Sequence, residues 1–326
     1  MDAIAKQKYH KIGRWGFGHV NKVVLKAHHL DILFALFTHH TLPSNIIHAL
    51  VSRDVKPRTT TDNLFDLKHP PNSFISVPRM QRNAENANYS HLVYELTPKG
   101  AQALVEHSRI SYAEYLLWTK VREQYRIHHY DHSLTTGYVT ASIALGCRDR
   151  GLAFLSWLDL LNREKCPQDT RDAINPFGIP YGTDTTRYLT PDAIFGIEYG
   201  NGACFFAVET DMGTEQQSER KGGGTSITQK VKAYREIIHR QTFKEYLGLP
   251  SLQVIFATTS VIRLHNIFET VLSIASKDGK GSTRPFLGKA LTEIAYRTHQ
   301  PLPATGHILA EPFLLAHGKT IDISKV

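Results

Sequence analysis

Apolar and polar positions along the first hundred residues alternate with helical period and then change to the period of strands. Leu30, Ile32, Leu33, Leu36 and Phe37 recur at helical spacing, and Asp31 stands in the first turn, where an acid suits the helix dipole. Thr41-Leu42-Pro43-Ser44 breaks this pattern, and Pro43 or Ser44 opens a second helix through Ile46, Ile47, Leu50 and Val51. Pro57 starts a third helix, with Leu64 and Leu67 expected inward and Arg58, Thr60, Thr61 and Asn63 outward. A strand-like run over 74–78, a polar loop with Arg79 and Arg82, and a second strand over 91–96 follow. Thr97-Pro98-Lys99-Gly100 then leads into a helix over 101–107. Three helices, a two-stranded wing and a closing helix describe a winged helix-turn-helix. In that fold the third helix enters the DNA major groove while wing arginines reach phosphates.

Residues 113–127 form an amphipathic helix through Tyr115, Leu116, Trp118, Val121 and Tyr125, bridging to a second unit. A helix over 134–150 precedes strand-like runs at 153–158, 192–198 and 203–210, then a helix at 226–240, a strand at 252–258 and a helix at 261–275. Three successive strands without a long crossover imply antiparallel pairing, and the helix before the fourth allows a parallel return. The expected class is α/β (α+β), with a winged helix over 1–112, a linker helix over 113–128 and a mixed-sheet domain over 129–326. After Lys277 the prolines Pro285, Pro301, Pro303 and Pro312 interrupt any readable pattern.

The net charge of +8 is informative once it is located. Residues 1–130 hold 17 Lys+Arg against 10 Asp+Glu, whereas residues 131–326 hold 21 against 20. The basic excess therefore sits with the winged helix and is either a solvated basic surface or the face of a polyanion partner; winged helices also serve as protein-interaction modules, and the concentrated charge favours DNA. Cys147, Cys166 and Cys204 are far apart and form no CxxC pair, which points to a reducing cytoplasm rather than a disulfide framework. No apolar run approaches the roughly 20 residues of a membrane span.

Two apolar strands carry acids at their ends. Pro191-Asp192-Ala193 opens the first, and Phe205–Asp211 places Ala207, Glu209 and Asp211 on one face. An Asp and a Glu from neighbouring strands suit a hard divalent cation, Mg²⁺ or Mn²⁺, so Asp192 and Glu209 are the expected ligands, joined by Asp211 or the Thr210 carbonyl. The element order and the acids are similar to the PD-(D/E)xK nuclease core, in which a lysine usually stands where Asp211 does. At 100° per residue Lys230 shares a helix face with Ile227, Tyr234 and Ile237, while Lys232 points to solvent. Lys230 is thus either a migrated catalytic lysine, stabilising charge on a phosphate, or a lysine snorkelling at the core edge. His132 is read as an orienting or phosphate-contacting group, or as a capping or core histidine. Asp159 is read as an outer ligand or an exposed loop acid. The His128/His132 spacing lacks the Glu of a metalloprotease motif, and Gly222-Gly223-Gly224 lacks the order of a phosphate loop.

The arrangement, over most of the chain from about Leu30 to Ala275, resembles the replication-relaxation family of plasmids and other mobile elements. The matching residues are Tyr94-Glu95-Leu96-Thr97-Pro98-Lys99-Gly100, His132-Ser133-Leu134, Trp157-Leu158-Asp159, Pro191-Asp192-Ala193 and Val208–Glu215, followed by Lys230 and Tyr234. The resemblance implies a winged helix joined to a nuclease-like domain, with plasmid replication or mobilisation proteins as candidate partners. It leaves open a metal-dependent endonuclease, acting on both strands as a homodimer. It equally leaves open an inactive DNA-binding accessory, or a regulator working through its winged helix.

Overall fold

The computed structural model describes residues 20–51, 55–83, 91–125, 130–182, 187–212, 226–295 and 300–325. The first element of the described residues is α1 (Ala27–His39), whose buried Leu30, Leu33, Leu36 and Phe37 follow the helical spacing of the sequence. It stops at His40, whose φ of 64° turns the chain into β1 (Thr41–Pro43). Helices α2 (Ser44–Val51) and α3 (Pro57–Lys68) follow, the latter with Pro57 in its first turn, where a missing N–H is harmless. Next come β2 (Ile75–Ser76), a 3-10 turn over Arg79–Asn83, β3 (Val93–Leu96) and α4 (Pro98–Glu106). Thr97 Oγ1 caps α4 by accepting the Gly100 N–H at 3.1 Å.

Where a two-stranded wing is expected, the structure has a three-stranded sheet in the order β1-β3-β2. The added strand contains the proline read as a helix start. Pro43 is tolerated because β1 lies at the sheet edge and pairs with β3 alone.

Helix α5 (Tyr112–Tyr125) leads to α6 (Tyr130–Asp149), which starts before the expected position. Buried residues line every side of α6 from Leu134 to Ser142, including Thr135, Thr136, Gly137 and Thr140. This helix is wedged between the N-terminal elements and the main sheet. A Cβ on Gly137 would lie 2.2 Å from the Thr41 carbonyl oxygen and 2.8 Å from that of His39, so only glycine lets α6 and β1 approach so closely. Phe37 of α1 stacks 6.0 Å from Trp118 and 5.4 Å from Trp157, which extends one core through these elements.

Strand β4 (Ala153–Leu155) is shorter than expected, because Ser156 Oγ caps the short helix α7 (Trp157–Leu161). After α8 (Gln168–Asp172) and the small hairpin β5 (Ile179–Pro180) and β6 (Tyr188–Leu189), the chain enters β7 (Ala193–Tyr199) and β8 (Gly202–Asp211). Helices α9 (Ile227–Arg240) and α10 (Thr242–Leu247) precede β9 (Gln253–Thr258), and α11 (Val261–Asp278) precedes β10 (Phe286–Ala290). Helices α12 (Thr292–Ala295) and α13 (His307–Ala310) and strands β11 (Phe313–Leu315) and β12 (Thr320–Ile321) complete the chain.

The main sheet has seven strands in the order β12-β11-β10-β9-β8-β7-β4. As expected, β4, β7 and β8 are antiparallel neighbours and β9 returns parallel to β8. The proline-containing tail, unreadable as sequence, adds β10, β11 and β12 to the sheet. The fold is a mixed α/β structure in which the acid-bearing β7 and β8 are the second and third strands from the β4 edge of the sheet. No helix among the described residues is long and apolar enough to cross a membrane.

Candidate functional site

Asp192 stands one residue before β7. Its N–H reaches the Val208 carbonyl at 3.0 Å, and its Oδ2 accepts the Thr210 N–H at 2.7 Å. The side chain thus takes a hydrogen bond that a further strand carbonyl would have taken, which fixes the carboxylate against β8. His132, in the first turn of α6, places Nε2 3.0 Å from the same oxygen. One helical turn later, Thr136 Oγ1 meets Thr210 Oγ1 at 3.0 Å and ties α6 to β8. The described residues give Oδ1 of Asp192 no hydrogen bond.

Glu209, one residue before Thr210, is only 1% exposed. Lys230 Nζ lies 2.7 Å from its Oε2, and the Tyr234 hydroxyl donates to its Oε1 at 2.5 Å. Lys230 and Tyr234 are four residues apart on α9, so one face of that helix delivers both groups. Lys232, as expected, is exposed.

Burial pushes the Glu209 carboxyl up to about 7, with the Asp192 charge adding to it and Lys230 opposing. Burial acts the same way on Asp192, yet Lys230, His132 and the Thr210 N–H outweigh it and hold that carboxyl down at about 2. Burial also opposes charge on His132, and the Asp192 carboxylate overcomes it to raise the imidazole above its ordinary value. Two adjoining acids therefore have separated affinities for protons, Asp192 firmly ionised at pH 7 and Glu209 changing its charge around that pH.

Asp211 is the residue expected, as an alternative to the Thr210 carbonyl, to join the two acids as a ligand. It is buried and bound by Arg263 of α11, whose Nε lies 2.5 Å from Oδ2 and whose second guanidinium nitrogen lies 3.3 Å from Oδ1. Arg263 was missed in the sequence. Its signal was a cation in the first turn of a helix, opposite to the preference of the dipole, directly after the strand beside β8.

Among the described residues, no three His, Cys, Asp or Glu side chains form a metal-holding group. The side chains that could hold a cation are those of the Asp192–Glu209 pair. That pair suits Mg²⁺, which is commonly held by one or two carboxylates with water and phosphate oxygens completing the shell. Burial raises the Glu209 carboxyl and the Asp192 charge adds to that rise, an electrostatic cost that a cation between the two acids would relieve.

The remaining expected residues are dispersed. Asp159 is the third residue of α7 and completes its capping box with Ser156 at 2.7 Å, so it serves the helix and not a ligand shell. In α3, Arg58 is 90% exposed at its side chain and Thr61 is exposed. Asn63 is half-buried and bonded to His29. Thr60 is a correction: it is buried and shares a 2.8 Å hydrogen bond with His48 Nδ1. The spacing of Thr60, Leu64 and Leu67 puts all three on the apolar stripe. Arg79 is exposed at the 3-10 turn that also contains Arg82. His128, Gly213–Glu215 and the Gly222-Gly223-Gly224 run lie outside the described residues.

A family model described as replication-relaxation matches residues 33–251. The match covers well over half of the chain, and the protein belongs to the replication-relaxation family. Membership links it to the replication of plasmids and other mobile elements. Comparison with curated proteins gives no match, and neither does comparison with solved structures.

Proposed function

We propose that the protein binds DNA and hydrolyses a phosphodiester bond at the acidic ends of β7 and β8, with Mg²⁺ or Mn²⁺ held by Asp192 and Glu209. The observation that carries this reading is the buried Asp192–Glu209 pair, with Lys230 and Tyr234 brought to it by one helix face. His132 and the Thr210 N–H anchor Oδ2 of Asp192, while Tyr234 fixes the orientation of Glu209. Lys230, drawn toward Glu209, sits where its ammonium can stabilise negative charge developing on phosphate oxygens. The cation supplies a Lewis acid that withdraws charge from the phosphate. Residues 1–112 are the proposed DNA-positioning unit, offering Arg58, Thr61 and Arg79 on the surface, joined through residues 113–128 to the catalytic domain.

A second reading, an accessory DNA-binding protein without cleavage, is favoured by the closed pairing of the acids. Asp211 occupies the usual lysine position and is neutralised by Arg263, and Lys230 is engaged by Glu209. Supercoiled plasmid incubated in Mg²⁺ or Mn²⁺ separates the two. The nuclease reading expects nicking or linearisation by the parent and a loss of at least about a hundredfold in Asp192→Ala and Glu209→Ala. No cleavage with DNA binding equal in all three proteins selects the accessory reading.

A further inference from the structure

Beyond the acidic pair, the first turn of α11 has the makings of a separate anion site. Strand β9 ends at Thr258, and Ser260 caps the helix two residues later, its Oγ accepting the Arg263 N–H at 3.1 Å. No described residue accepts the N–H groups of Val261 or Ile262. Their side chains are 52% and 75% exposed, so this turn stands at the surface. The turn contains no acid and instead carries Arg263, adding a cation to the positive end of the helix dipole.

A second observation points the same way. Thr258 is 1% exposed and its hydroxyl has no hydrogen-bond partner among the described residues. It is matched in register with Asp211 across the parallel β8–β9 pair, so both side chains lie on one sheet face, the face on which Arg263 meets Asp211. The buried Thr258 hydroxyl at the end of β9, two backbone donors without an acceptor among the described residues and the Arg263 guanidinium thus gather around the first turn of α11, with Asp211 as the carboxylate paired to Arg263.

We propose that Thr258 Oγ1, the Val261 and Ile262 N–H groups and Arg263 form a subsite for a backbone phosphate of the bound nucleic acid. The assignment rests on the DNA-binding reading above. Glu209 and Asp211 are two residues apart on one strand face, a separation of roughly 7 Å. The subsite therefore holds a phosphate neighbouring the one at the acidic pair, and so sets the path of the strand. A helix N-terminus with exposed N–H groups is suited to that ligand.

The test compares DNA affinity of Val261→Pro with that of Val261→Ala, using one duplex at one salt concentration. Proline fits the first helical position and removes only the N–H, and Ser260, with φ −147° and ψ 143°, already has the extended backbone that proline requires before it. Thr258→Val removes the hydroxyl without touching the backbone and tests the same subsite should the proline variant unfold. We expect Val261→Pro to bind about threefold to tenfold more weakly than Val261→Ala, and Thr258→Val to weaken by a similar factor from the parent. Equal affinities, with DNA binding by the parent intact, overturn the subsite and leave the functional reading standing. Failure of the parent to bind DNA overturns both. Inorganic phosphate raising the unfolding temperature of Val261→Ala more than that of Val261→Pro, with equal DNA affinities, reassigns the subsite to a free anion and overturns the nucleic-acid assignment.

Discussion

Glu209 carries the sharpest consequence at the scale of single residues. Its carboxyl is raised from 4.5 to about 7 in the folded chain, so between those values the folded state holds a proton that the unfolded state releases. Stability from this group is therefore greatest at low pH and falls as pH rises from about 4.5 through about 7. Urea unfolding across that range is expected to show the decline in the parent and a flatter profile in Glu209→Gln, and an identical slope in both would contradict the assignment. Arg263 makes a different prediction. Asp211 is buried, and Arg263→Met leaves it without this bidentate partner, a loss of about 3–5 kcal/mol typical of a broken buried pair. Asp211→Asn combined with Arg263→Met is expected to recover part of that loss, because the uncompensated charge is gone. A double variant no more stable than Arg263→Met alone would show that charge is not the cause.

The elements that could be read from the sequence are those long enough to show a period. Lys230 and Tyr234 fell on the apolar face of α9 by spacing alone, and both meet Glu209. Strands β7 and β8, of seven and ten residues, were legible with their antiparallel order. Strands β11 and β12 have three and two residues, too short for alternation to register, and β1 ends in a proline that reads equally well as a helix start. Arg263 was hidden for another reason: its partner is 52 residues away, and nothing local marks a cation in a first turn as buried against a strand. Helix α6 is the element on which the site most depends, since it brings His132 to Asp192 and Thr136 to Thr210. Gly137 lies directly after Thr136 and meets backbone on its outer side, which cannot move aside as a side chain can. Gly137→Ala is therefore expected to destabilise the protein by about 1–3 kcal/mol or more, measured by thermal or urea unfolding. A neutral result would show that α6 and β1 are not held as tightly as the close approach implies.

Across the whole molecule, charge and chemistry are segregated along the chain. The basic excess lies in the first two fifths of the chain, while the buried acids lie at the ends of the second and third strands from the β4 edge of the seven-stranded sheet, and α6 is packed against both regions. Family membership covers residues 33–251, so β9, α11 and the three strands of the tail lie beyond it, including Arg263 and Thr258. The central claim is that Asp192 and Glu209 are a cation site and not a closed network of ion pairs. Direct titration of the full-length protein with Mn²⁺, followed by calorimetry at pH 6 and pH 8, tests it. One Mn²⁺ per chain is expected to bind, more tightly at pH 8, where Glu209 has lost its proton, and binding is expected to be lost in Asp192→Asn. No Mn²⁺ binding at pH 8, or binding unchanged in Asp192→Asn, would contradict it.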